Sequence, residues 1–136
     1  MRPMSPYKAV LAVLGDALPS TVFRTSDPPA DLAQRLPAVW VQVPTGTRVT
    51  NAGATDGQVW AVALLALAET NSAASELAWD AVTALESAPD LGHRSPAHAA
   101  IASVDVDVLP FRPPRADTAA QDVHQYNATV TVRMAI

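Results

Sequence analysis

The chain has no cysteine, which excludes disulfides, thiolate nucleophiles and cysteine-ligated zinc. Aromatic residues are scarce at 5%, so a core has to be assembled from Val, Leu and Ala. Lysine is nearly missing: eight of the nine basic residues are Arg, and the formal net charge is −4. A domain whose main task is gripping phosphate carries a basic excess instead. No apolar run reaches the roughly 18–20 residues that span a bilayer. The opening Met1-Arg2-Pro3-Met4-Ser5-Pro6 lacks the basic end, apolar stretch and small-residue cleavage site of a signal peptide. These features lead us to expect a soluble protein made inside the cell, with no membrane partner. Catalytic signatures are missing as well: the sequence has no GxSxG turn, no Walker A loop, no GxGxxG and no HExxH. The expectation is therefore a protein that is not an enzyme and needs no cofactor.

What is present is a packed chain of 136 residues, 49% hydrophobic and 16% charged, which fits a single domain over 1–136. It is organised around residues 58–86, QVWAVALLALAETNSAASELAWDAVTALE. The opening apolar run, 59–68, suits a strand buried on both faces or the start of a long helix. After the polar Glu69-Thr70-Asn71-Ser72, the residues Ala74, Leu77, Ala78, Ala81, Val82 and Leu85 fall on one helical stripe. Asn71 or Ser72 can supply the N-cap oxygen. The reading is a central strand, a cap, and a helix folded back over a sheet.

Around that unit, Ser5-Pro6 makes a helix start, with Tyr7, Val10, Leu11, Leu14 and Leu18 on one face and Pro19 as the stop. Residues 21–25 have strand character, 30–36 read as a short helical turn ended by Pro37, and 39–43 alternate as a strand with three valines on one face. Residues 44–57 read as a long polar loop with a little β structure near Arg48-Val49-Thr50, and such loops are often functional. Ala102, Val104, Val106 and Val108 alternate with Ser103, Asp105 and Asp107, giving a strand with one wet face. A second loop, 110–121, holds Arg112 and Arg115 beside Pro113-Pro114. In the last segment Tyr126, Ala128, Val130, Val132 and Met134 alternate with polar residues, which suggests an antiparallel hairpin in which Arg133 faces Asp105 or Asp107. The fold class is α+β: a mostly antiparallel sheet of about four strands, with an N-terminal helix and a long helix packed on one face.

Few residues are candidates for chemistry. Asp105 and Asp107 share one side of a strand, as a metal or acid–base pair would, but the valines between them already mark that side as the solvent face. His93, His98 and His124 match no metal-ligand spacing, and residues 53–57 lack the Lys and helix of a phosphate cradle. Trp40 and Trp60 lie on strands, where core packing is the default. Trp79 falls about 130° from the centre of its helix's apolar stripe. It either bends over the sheet edge or is an exposed Trp of the kind enriched at binding hot spots. Ala9, Ala12 and Val13 also extend the first helix's apolar surface, which favours an oligomer.

The order of these elements resembles the tail terminator (tail completion) proteins of long-tailed bacteriophages. The likeness runs over an N-terminal helix at 7–18, a strand and Pro-bounded segment at 22–37, and an alternating strand at 39–43. It continues through a loop leading into the strand–helix unit at 58–86 and a closing VHQYNATVTVRMAI. It is one of order and texture across nearly the whole chain. The resemblance implies a structural virion protein, assembled in the host cytoplasm and resident in the tail or neck. There it would form a ring, commonly a hexamer, that caps the tail tube, ends its polymerisation and offers the surface for head–tail joining. The implied partners are copies of itself, the tail tube protein and a head–tail connector or head completion protein, with DNA passing through the lumen without specific binding. In that picture Arg48, Val49, Trp79, Arg112 and Arg115 are interface candidates, and Asp105 and Asp107 are lumen candidates. Six copies at −4 each carry −24, which would keep phosphate from adhering to the channel. The alternatives are another neck component (a head completion or stopper protein) and a small-molecule-binding or enzymatic α/β domain. The last would gather His98, His124, Asp105 and Asp107 in one pocket.

Overall fold

The apolar run that opens the central unit is a strand, and it lies in the middle of the sheet. A computed structural model describes residues 5–18, 21–23, 36–51, 54–113 and 123–134, with backbone alone at 21–23, 43–51 and 54–56. The elements are α1 (Pro6–Ala17), β1 (Thr21–Phe23), β2 (Ala38–Asn51), β3 (Ala54–Ala68) and α2 (Asn71–Ser87). A 3-10 turn (Ala88–Leu91), α3 (Pro96–Ala100), β4 (Ile101–Phe111) and β5 (His124–Met134) follow. The described strands form one sheet in the order β1-β2-β3-β5-β4. From β2 to β4 every neighbour is antiparallel, and short β1 adds to β2 in parallel. The class is α+β, as expected, with β1 as an additional strand.

One face of the sheet carries the helices. Val39 and Val41 of β2, Val62, Leu64 and Ala66 of β3, and Ala128, Val130, Val132 and Met134 of β5 meet α1 and α2 in the main core. The stripe on α2 is the one its sequence dictates: Ala74, Leu77, Ala78, Ala81, Val82 and Leu85 are buried. Leu14, Leu64, Leu85 and Ile101 are among the largest fully buried side chains, each worth about 1.5–3 kcal/mol of burial. The opposite face has a smaller cluster, Ala38, Trp40, Leu65, Leu67 and Val123, at one end. Thus 64–68 of β3 are buried on both faces, whereas 59–61 and Ala63 are half-covered.

Helix starts follow capping chemistry. The Ser5 side chain accepts from the Lys8 amide at 3.2 Å with Pro6 at the first helical position. On α2 the cap is Thr70, which accepts from the Ala73 amide at 3.1 Å, and this corrects the choice of Asn71 or Ser72. Both of those residues lie inside the helix. The buried face of α1 centres on Ala9, Val10, Val13 and Leu14, with Tyr7 and Leu11 at its margin. Ala9 and Val13 are therefore core, and only Ala12 of the supposed surplus is exposed.

The largest correction concerns residues 44–57, which are not a loop. β2 runs to Asn51, β3 starts at Ala54, and the two pair from Thr45↔Ala61 to Asn51↔Ala54. Pro44 is tolerated because the register shifts there, with Val43 and Pro44 together opposite Val62. A second shift leaves Asp56 as an extra residue beside Gly57. Among the described residues β5 ends at Met134, opposite Gln58, and 54–57 of β3 pair with β2 alone.

β4 departs from strict alternation for the same physical reason. Ala102 and Asp107 are extra residues at register shifts, and each shift moves the following side chain to the other face. Val104 and Val106 oppose Val132 and Val130 on the helix face, but Val108 opposes Thr129 on the open face. Ala102 is exposed rather than aligned with Val104. The 3-10 turn and α3 fill a stretch for which no element was expected. The helical turn expected at 30–36 lies outside the described residues apart from Leu36, as does the Pro19 stop. Of the second expected loop, Pro110 and Phe111 belong to β4, and residues from 114 lie outside the described set. Among the described residues no helix is long and apolar enough to cross a membrane.

Candidate assembly surface

Burial of one stripe of α2 leaves the opposite stripe in solvent, and Trp79 stands in its middle. It is 46% exposed, with Ser72, Glu76, Thr83 and Glu86 exposed at three- and four-residue steps around it. It does not bend over the sheet edge to become core. The other large exposed apolar side chains gather at the end of β4: Val108, Leu109 at 60% and Phe111. Their exposure follows from the register shifts, which turn Val108 and Phe111 onto the face opposite the described helices and leave Leu109 and Pro110 together opposite Ala128.

Asp105 and Asp107 lie further along β4. Asp105 opposes Thr131 on the face opposite the described helices and approaches Arg133, with Oδ2 4.0 Å from Nε, both side chains being more than half exposed. Such a pair contributes at most about 1 kcal/mol. Asp107 accepts a hydrogen bond from the Thr131 hydroxyl. The expected cross-strand partnership of Arg133 is thus with Asp105. Arg112 is exposed just beyond β4. Arg48 and Val49 occupy β2 positions in register with Gln58 and Gly57, and Arg115 lies outside the described residues.

The four residues that an enzymatic reading would bring together are dispersed. His98 is buried on α3, next to the start of β4, at the end of the sheet where β5 finishes. His124 starts β5 at the other end, ten residues away along that strand, or roughly 33 Å at extended spacing. Asp105 and Asp107 are on β4 between them, on or beside the face opposite the described helices. Among the described residues no group of three His, Asp or Glu could hold a metal ion.

One polar constellation escaped the sequence reading. Asp16 at the end of α1 pairs with Arg94 at 3.0 Å, and its Oδ2 lies 3.8 Å from His98 Nε2. On the ring's other side, Ser95 Oγ is 2.7 Å from Nδ1 and also accepts from the His98 amide as the N-cap of α3. Ser95 Oγ thereby serves the helix start and the ring together. These residues border a cleft of about 510 Å³ between α1, α2 and α3, lined by Asp16, Asp80, Thr83, Leu91, Arg94 and His98 among others. Ser, His and Asp in a row suggest a nucleophile relay, but Ser95 is not in the cleft lining and its oxygen caps a helix. What the arrangement does is orient a buried imidazole and tie α3 to α1. The available signal was Ser95-Pro96, which repeats the Ser5-Pro6 helix start.

Compared with known proteins, the chain matches no family model and no curated protein sequence.

Proposed function

We propose that this chain is a tail terminator of a long-tailed bacteriophage, a structural subunit that closes into a ring on the end of the tail tube and presents the head-joining surface. The observation that carries the reading is the unburied apolar surface. The described core leaves Trp79, Val108, Leu109 and Phe111 exposed, and the last three cluster on a sheet edge. Surfaces of that kind are covered on assembly. The element order supports the same reading, and Asp105 and Asp107, on or beside the face opposite the described helices, are the candidates for an acidic lumen wall. The partners are further copies of the chain, the tube and a head-side connector, and the location is the virion neck.

The test is light scattering and negative-stain imaging of the purified protein, alone and mixed with tail tubes. Rings, or caps on tube ends, are expected. A protein that stays monomeric and leaves tube ends bare would sink the proposal. Attachment to heads alone would instead make it a head-side neck component.

A further inference from the structure

We infer that the subunits of the ring join edge to edge, β4 of one copy pairing antiparallel with the free side of β2 in the next, so that the sheet continues from subunit to subunit. The inference rests on the ring reading above and names the contact that closes it.

The sheet has two open edges among the described residues. β4 pairs only with β5, and β2 is covered on its outer side by β1 only at Ala38, Val39 and Trp40. Among the described residues, nothing pairs with the outer side of β2 from 41 to 51. The heights of the two edges can be read across the sheet. Phe111 aligns through Asn127 and Leu65 with Trp40, where β1 stops at Phe23. At the other end Ile101 aligns through Met134 and Gln58 with Arg48. All of β4 above its last rung thus stands level with the uncovered part of β2.

Direction and shape agree with the heights. Three successive antiparallel steps make β2 and β4 run oppositely, so a copy generated by rotation about an axis along the strands meets its neighbour antiparallel. Both edges carry an extra residue on the same rung: Val43 and Pro44 share Val62, and Asp107 is inserted beside Val130, the partner of Val62; the further extra residues of β4 at Ala102 and at Leu109 and Pro110 confine the pairing to 103–108 against 42–47. Bulges, prolines and charges on an edge discourage pairing with arbitrary strands. Two edges bulged at the same height can still pair with each other. Joining different edges makes a heterologous contact, which closes into a ring when the rotation permits. The described helices then lie on one wall of the ring, and Asp105 with Thr131 lies on the other.

The chain's lack of cysteine gives a clean test by disulfide trapping. Asp105 is level with Thr45, and Ser103 is level with Thr47. Antiparallel partners have Cα atoms about 4.5–5.5 Å apart, within disulfide range. The panel comprises D105C/T45C, S103C/T47C and the pair shifted by one strand repeat, D105C/T47C, together with each single variant, oxidised alone and on tail tubes. The expected result is a ladder beyond the dimer from at least one double variant, while the single variants stay monomeric on non-reducing gels. Rings in the microscope without a ladder from any pair would leave the ring reading standing and overturn the edge contact. Dimers from a single β4 variant would overturn it in favour of a two-fold contact. Neither rings nor ladder, with or without tubes, would overturn both.

Discussion

A Cβ placed on Gly57 would sit 2.5 Å from the carbonyl oxygen of Met134, closer than any side chain tolerates. Gly57 is buried next to the extra residue Asp56, where the β2–β3 hairpin leaves the rest of the sheet. Gly57→Ala should therefore cost about 1–3 kcal/mol, as overpacking against backbone does, and Gly57→Val should cost more. Urea denaturation of the two variants checks this; a loss near zero for both would mean the hairpin leaves the sheet at a different angle.

Thr70 makes a different claim on stability. If its hydroxyl is the cap of α2, Thr70→Ala should lose about 1 kcal/mol and Thr70→Ser should retain most of the cap. Ser72→Ala, on the exposed first turn, should change stability by less than about 0.5 kcal/mol. The reverse order between positions 70 and 72 would move the cap.

These two sites also show what was legible in the sequence. The β3–α2 unit could be read because its apolar residues keep a helical period over several turns and a strand-like run before it. The cap was misplaced by one or two positions because Thr70, Asn71 and Ser72 all have acceptor oxygens, and only backbone geometry chooses among them. The hairpin over 44–57 was hidden by Pro44, Gly46, Gly53 and Gly57, which normally break strands; here Pro44 and Gly57 sit at register shifts. The exposure of Val108 was illegible for the same reason, since an inserted residue leaves no mark on an alternating pattern. Trp79 was readable as off-stripe, but its exposure depended on nothing packing over it. The link between Asp16 and residues 94–98 spans most of the chain, and no local spacing announces it.

Ser95 both caps α3 and holds the buried His98 ring. Ser95→Ala should destabilise by about 1–3 kcal/mol, combining a lost cap with an unsatisfied buried nitrogen. Asp16→Asn, at a pair whose side chains are nearly half exposed, should cost no more than about 1 kcal/mol. Thermal or chemical denaturation of the pair of variants tests the ranking, and a larger loss at Asp16 would show that the ion pair rather than the cap carries the tie.

Trp79 and Leu85 lie on opposite sides of α2. Leu85→Ala should lose about 2–5 kcal/mol of monomer stability. Trp79→Ala should stay within about 0.5 kcal/mol of the parent while impairing attachment to tail tubes. Comparing denaturation midpoints with the fraction of capped tubes separates the two effects. Equal losses in both measurements would make Trp79 a packing residue.

α3 runs into β4 without a connecting residue, Ala100 being followed directly by Ile101. The tie from Asp16 to Arg94 and His98 therefore anchors, at one remove, the strand on which neighbouring copies would pull. Tension applied to β4 is handed to α1 through α3, and from α1 to the main core. The edge strand is thereby moored to the helical layer as well as to β5, and a load on the ring would be resisted by two mechanical routes.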